Sequence, residues 1–186
     1  MNEQHLIACA SAEWGEFLRE VVLPAALTDV DLGDDVLEIG PGPGLTTDVL
    51  RASVAALTAV ELDPALADAL TARMQHTNVE VVNADATDLP LPTDRFSGAV
   101  SFTMLHHVPT VELQDRIFAE LARVVAPSGM VVLSDSVASD GLRDFHEADT
   151  YNPIDPSTLE DRLTRAGFVH VRVDADDQRF VVHARA

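Results

Sequence analysis

Short apolar runs, each closed by glycine, proline or an acid, alternate along this chain with stretches of helical period. Val36-Leu37-Glu38-Ile39 reads as a buried strand that runs into a glycine-rich turn, with a helix from about Gly44 to Arg51. Ala55 to Val60 is a second strand ending at Glu61, and Pro64 sits at the first turn of the next helix. Val79 to Asn83 alternates as a third strand and Phe96 to Phe102 forms a fourth. A helix over Val111 to Val124 carries Leu113, Ile117, Leu121 and Val124 on one face, and Pro127-Ser128-Gly129 turns into a fifth strand from Met130 to Asp135. Strands alternating with helices predict a parallel α/β sheet. Beyond it, 136–156 is polar and broken by Gly141, Pro153 and Pro156. A helix from Ser157 to Ala166 stops at Gly167, and Phe168 to Val173 and Phe180 to Ala184 alternate as a closing pair of strands. Ahead of the first strand, Ala12, Trp14, Phe17, Leu18, Val21 and Val22 give a helix from Ser11 to Leu23 that Pro24 disrupts or ends.

The turn after the first strand is Gly40-Pro41-Gly42-Pro43-Gly44. A strand, a glycine turn and a helix N-terminus form the nucleotide crevice of an open α/β sheet. The dinucleotide fingerprint Gly-x-Gly-x-x-Gly would need glycine at position 45, which is Leu45. Pro41 and Pro43 also lack an N–H, so two donors are missing from a turn that would have to cradle a pyrophosphate. A less anionic ligand is expected, and Glu38 at the strand end suits one with an amino group. Glu61 lies 19 residues after Gly42, where an acid at a strand tip can grip a ribose diol with charge-assisted hydrogen bonds.

Composition narrows the setting. The 186 residues suit one domain, and no apolar run approaches a membrane span. Cys9 is the only cysteine, so no internal disulfide forms and a cytoplasmic location is expected. The formal net charge of −19 would repel phosphate backbones, which counts against nucleic acid as a partner.

Val36 to Gly44, with the order of elements through Asp135, resembles the class I S-adenosylmethionine-dependent methyltransferases, in particular their small-molecule, quinone-methyltransferase-like group. The resemblance implies a seven-stranded, mostly parallel, doubly wound α/β sheet with a C-terminal antiparallel hairpin, preceded by an N-terminal helical lid. One methyltransferase domain over 1–186 follows, with a helical segment at 1–30, a cofactor-binding core at 31–135 and a substrate-side portion at 136–186. The implied cofactor is S-adenosylmethionine, with S-adenosylhomocysteine as product. Glu38, Gly40, Gly42, Gly44, Glu61, Leu62, Asp85, Ala86 and Thr103 form the implied cofactor set, with Asp85 receiving the adenine amine. Trp14 on the lid, His106, His107 and Tyr151 are the expected substrate-lining residues.

His106 and His107 are the candidates for a general base, which a protonated nucleophile such as an alcohol would need. In an extended tip they would point in opposite directions, so at most one should face the crevice. His146, Glu147 and Asp149 match no standard metal spacing, and no metal is expected. The same motif also resembles ribosomal-RNA adenine dimethyltransferases, but the tip Thr103-Met104-Leu105-His106-His107 lacks their amide and aromatic ring. A catalytically silent cofactor-binding module acting through a partner is the alternative. Oligomeric state stays open.

Overall fold

The computed structural model describes residues 3–186, with side chains from residue 5 onward; Met1 and Asn2 of the expected 1–30 segment lie outside the described residues. In chain order the elements are α1 (Glu3–Cys9), α2 (Ala12–Phe17), a π-helical turn (Leu18–Val22), α3 (Leu23–Leu27), β1 (Asp35–Ile39), α4 (Leu45–Leu50), β2 (Ala56–Glu61) and α5 (Pro64–Arg73). They continue with β3 (Val79–Asn83), β4 (Phe96–Phe102), a 3₁₀ turn (Leu105–His107), α6 (Val111–Val124), β5 (Val125–Ser136), α7 (Asp140–Phe145), a second 3₁₀ turn (Pro156–Thr158), α8 (Leu159–Ala166), β6 (Val169–Ala175) and β7 (Arg179–Arg185).

All seven strands form one sheet in the order β3-β2-β1-β4-β5-β7-β6. The first five are parallel, and β7 inserts antiparallel between β5 and β6. This is the class I methyltransferase architecture. Strand order reverses at β1, so the crevice at the C-terminal ends of β1 and β4 is the topological switch point where ligands of such sheets bind.

Strand alternation sends successive side chains to opposite faces. Leu37, Ile39, Ala99, Val131 and Leu133 join one core with Phe118, Leu121, Leu159 and Phe168 from the α6 and α8 side. Val36, Val100, Phe102 and Val132 join the other, with Leu18, Val22, Leu23 and Ala26 from the N-terminal helices. On α6 the buried stripe includes Gln114 rather than Leu113, and that exchange matters at the strand tips.

Pro24 disrupts the N-terminal helix without ending it. The Leu23 N–H reaches back five residues to the Leu18 carbonyl, and helical structure resumes through Leu27. The wider turn accommodates a proline that has no N–H for the ordinary bond. The fifth strand begins earlier than its apolar run because the Pro127-Ser128-Gly129 turn is retained as a bulge, with Phe96 opposite Val125 and Gly98 opposite Met130.

Candidate functional site

The β1–α4 turn is built from left-handed glycines. Gly40 has φ of 69°, and a Cβ there would come within 2.2 Å of Met104 Cγ. Gly44 has φ of 82° and closes the turn by donating its N–H to the Pro41 carbonyl at 2.9 Å. Leucine or valine at either place would meet both the backbone penalty and a clash. At Gly42 a Cβ would meet none of the described residues within 4 Å, so the outer side of the turn is open among them. Arg73, from α5, clamps the turn from behind by donating to the Pro43 and Gly44 carbonyls at 2.8 and 3.1 Å. Neither Arg73 nor Met104 carried a local signal, because each reaches the loop across the fold.

Glu61 ties the second strand to this turn. Its Oε2 accepts the Gly42 N–H at 3.0 Å and its Oε1 the Asp63 N–H at 2.9 Å, and the side chain is only 7% exposed. A carboxylate has about four lone-pair positions, so acceptor capacity remains on each oxygen. The strand tip is held by Asn83, whose side-chain amide donates to the Glu61 and Leu62 carbonyls. Leu62 follows with 67% exposure, an apolar side chain standing beside the acid. Asp85 lies in the exposed turn after β3, where its Oδ1 accepts the Thr87 N–H at 2.8 Å, and Ala86 is half-buried beside it. Thr103 leaves β4 with φ of 51° and donates its N–H to the Ser134 carbonyl at 2.8 Å.

Glu38 sits differently from the sequence-based expectation. It is 1% exposed, and its two oxygens accept hydrogen bonds from the Thr46 and Thr47 hydroxyls of α4. The carboxyl thus fastens α4 to β1 and is not presented to an amine in solvent. Burial pushes its pKa up to about 7, with Asp48 and Glu61 adding to the rise and the two threonine hydroxyls opposing it. Below the ordinary value near 4.5 the carboxyl is protonated in folded and unfolded chains alike. Between 4.5 and about 7 the unfolded chain loses the proton first, so stability falls as pH rises, and above about 7 the full cost is present. Urea unfolding of the wild type and of Glu38→Gln should show the stability difference moving in favour of the variant by about 3 kcal/mol between pH 4.5 and 8.

At the tip of β4 the expected extended segment is a 3₁₀ turn. Successive residues there are about 120° apart, not 180°. The two histidine rings therefore lie side by side, with centroids 4.2 Å apart, rather than on opposite sides as in a strand. Asn152 pins the turn by donating its N–H to the His106 carbonyl and its side-chain amide to the Val108 carbonyl. Gln114, on α6, donates to the Leu105 and Asn152 carbonyls and accepts from Arg162. Asp135 at the end of β5 accepts both the His106 N–H at 3.0 Å and the His106 Nδ1–H at 2.6 Å. Two further histidines complete the cluster, His5 from α1 and His146 at the end of α7, and Tyr151 stacks on His146 at 4.6 Å. The expected loop at 136–156 thus contains a six-residue helix, too short to show a period, capped by Ser139.

Trp14 is not part of this group. It stacks on Phe17 at 5.3 Å and packs against the core under α2 and α3. The portion of the N-terminal segment that meets the strand tips is α1, through His5. Burial pushes the Cys9 thiol up to about 11, which disfavours the thiolate.

A family model described as "Methyltransferase domain" matches residues 37–133, more than half of the chain. The chain belongs to the methyltransferase domain family. The match runs from β1 to β5 and so covers the glycine turn, Glu61, Asp85 and the histidine turn. One relative, "Probable S-adenosylmethionine-dependent methyltransferase Rv3030" of Mycobacterium tuberculosis, is 29% identical over 162 residues, covering 83% of this chain and 56% of its own. Ribosomal RNA small subunit methyltransferase A of Bifidobacterium longum is 35% identical over 99 residues, or 50% of this chain and 31% of that protein. The chain thus spans about half the length, or less, of these curated relatives. Among solved structures, a chain of the Haloferax volcanii complex between the Trm112 methyltransferase activator and its methyltransferase partner superposes with a TM-score of 0.78 at 14% identity, covering 99% of this chain and 94% of that one. At that identity the likeness is one of fold. No helix among the described residues is long and apolar enough to cross a membrane.

Proposed function

We propose that this protein is an S-adenosylmethionine-dependent methyltransferase acting on a small molecule. The observation that carries the reading is the Gly42–Glu61 hydrogen bond, which joins an open glycine turn to a ribose-competent carboxylate at the switch point of the sheet. The residues fit the cofactor. Glu61 has acceptor capacity for a ribose diol, exposed Leu62 offers an apolar face for a base, Asp85 and the Ala86 N–H stand where the adenine edge would be read, and Gly40 to Gly44 admit close approach of a backbone-recognised tail. Thr103 borders the same crevice, while Glu38 supports it through α4. When bound, S-adenosylmethionine supplies a methyl group activated by its sulfonium, transferred by in-line displacement and leaving S-adenosylhomocysteine.

The chain's own contribution is alignment and exclusion of water. His106, His107 and Tyr151 lie at the β4 tip and would border the acceptor. Burial and neighbouring imidazoles lower His107 to about 3, so it is neutral at pH 7. A small-molecule acceptor accords with a charge of −19, which opposes an RNA backbone, and with a Thr103–His107 segment that has no Asn, Phe, Tyr or Trp to hold and stack a flipped base. The partner-dependent alternative draws on the Haloferax volcanii neighbour, which is found with an activator protein. Incubating the protein with methyl-labelled S-adenosylmethionine and lysate of its source cells, then fractionating, separates the readings. Label in the small-molecule fraction is expected. Label in RNA would overturn the acceptor class, and cofactor binding with no label anywhere would favour the partner-dependent module.

A further inference from the structure

We infer that His5, His106, His107 and His146 together bind one divalent transition-metal ion of the zinc type. Each offers one ligand nitrogen, and these atoms all lie within 4.8 Å of one another. The inference does not rest on the methyl-transfer reading, although two of the four ligands, His106 and His107, also stand at the β4 tip beside the acceptor.

Tautomers make the argument. The Leu142 carbonyl can only accept, so His146 Nδ1, 2.6 Å away, carries the proton and its Nε2 carries the lone pair. Asp135 orients His106 in the same way, through Nδ1 at 2.6 Å. That leaves His106 Nε2 and His146 Nε2 as buried acceptors with no hydrogen-bond partner among the described residues. Two buried, unsatisfied lone pairs beside one another are costly, and a cation satisfies both at once. A carboxylate or carbonyl behind each imidazole is also how proteins orient metal-binding histidines. Asp149 stands 3.4 Å from His5 Nδ1, a third carboxylate-backed or carbonyl-backed imidazole.

Donor type agrees. Imidazoles suit Zn²⁺, Ni²⁺, Cu²⁺ or Fe²⁺, whereas Mg²⁺ and Ca²⁺ prefer oxygen. Six ring–ring centroid distances between 4.2 and 6.5 Å describe a compact group around one centre. Zn–N bonds of about 2.0–2.1 Å at tetrahedral angles place nitrogens about 3.3 Å apart, so the widest pair must close by roughly 1.5 Å, within reach of side-chain rotation. The ligands come from α1, the 3₁₀ turn after β4 and the end of α7, so a bound ion would fasten the N-terminal helix and the 136–156 segment over the strand tips. Spacing along the sequence carries no sign of this, because the donors are far apart in the chain.

The test uses the whole protein, treated with chelator and exchanged into metal-free buffer. Zn²⁺ titration by calorimetry should give one equivalent per chain, and saturation at about 100 times Kd should raise Tm by roughly 5–10 °C. Co²⁺ should give the intense visible absorption of a four-coordinate nitrogen site. His5→Ala and His146→Ala should each weaken Zn²⁺ binding about tenfold or more, while His76→Asn, at an exposed site elsewhere, should not. Circular dichroism checks that the variants fold. The wild-type Co²⁺ spectrum needs no variant, and a weak octahedral spectrum overturns the site. So does the absence of Zn²⁺ binding, or binding unchanged in both alanine variants.

Discussion

Glu61→Ala is expected to weaken S-adenosylmethionine binding by about 1–3 kcal/mol, roughly 5- to 150-fold in Kd. The expectation combines two losses. A ribose diol would lose its charged acceptor, and the Gly42 and Asp63 N–H groups lose the oxygens that now receive them at 3.0 and 2.9 Å. The second loss loosens the open turn itself, so affinity should fall even for ligands that do not use the ribose contact. Glu61→Gln keeps one carbonyl oxygen and should fall between wild type and alanine. Calorimetry with S-adenosylmethionine measures all three, and equal affinities would remove the ribose assignment. Thermal stability of the variants measured without ligand separates the loosened turn from the lost contact.

Gly98→Ala is expected to lower stability by about 3 kcal/mol, and Tm by roughly 6–12 °C, without touching the crevice. Gly98 pairs with Val36 of β1 on one side and Met130 of β5 on the other. A Cβ there would lie 2.6 Å from the Leu32 carbonyl oxygen, 2.9 Å from that of Met130 and 3.2 Å from Leu32 Cα. All three are backbone atoms, so no side-chain rotation relieves the clash, and either β4 or the 28–34 connection must shift. Gly141→Ala is the matched control. A Cβ at that position, in α7, meets none of the described residues within 4 Å, and alanine is the better helix former, so Tm should be unchanged or slightly raised. A Gly98→Ala protein melting with the wild type would show that Leu32 and Met130 do not confine the strand as tightly as these distances require.

The two variants also mark different kinds of legibility. Glu61 was readable as a ligand-gripping acid because its position at the end of an apolar run, 19 residues past Gly42, is a local fact. Gly98 read only as one residue of a strand. Its steric role depends on Leu32, which crosses β4 after a separation of more than sixty residues. The histidines divide the same way. His106 and His107 stood out as a pair at a strand tip, but their side-by-side placement comes from a 3₁₀ turn stapled by Asn152 and Gln114. His5 and His146 are isolated along the chain and meet the pair only in three dimensions.

What the sequence alone determined is the succession of strands and helices, the glycine turn and the acids at the tips of β2 and β3. Each is set by neighbours two to four residues away, through pleat alternation, helical period and glycine's access to positive φ. Tertiary structure decided where side chains point once those elements meet. Glu38 faces Thr46 and Thr47 of the next helix, and four histidines from three segments gather in one cluster. Those outcomes follow from desolvation and hydrogen-bond satisfaction between separate elements, and such terms depend on partners that strand alternation and helical period do not name.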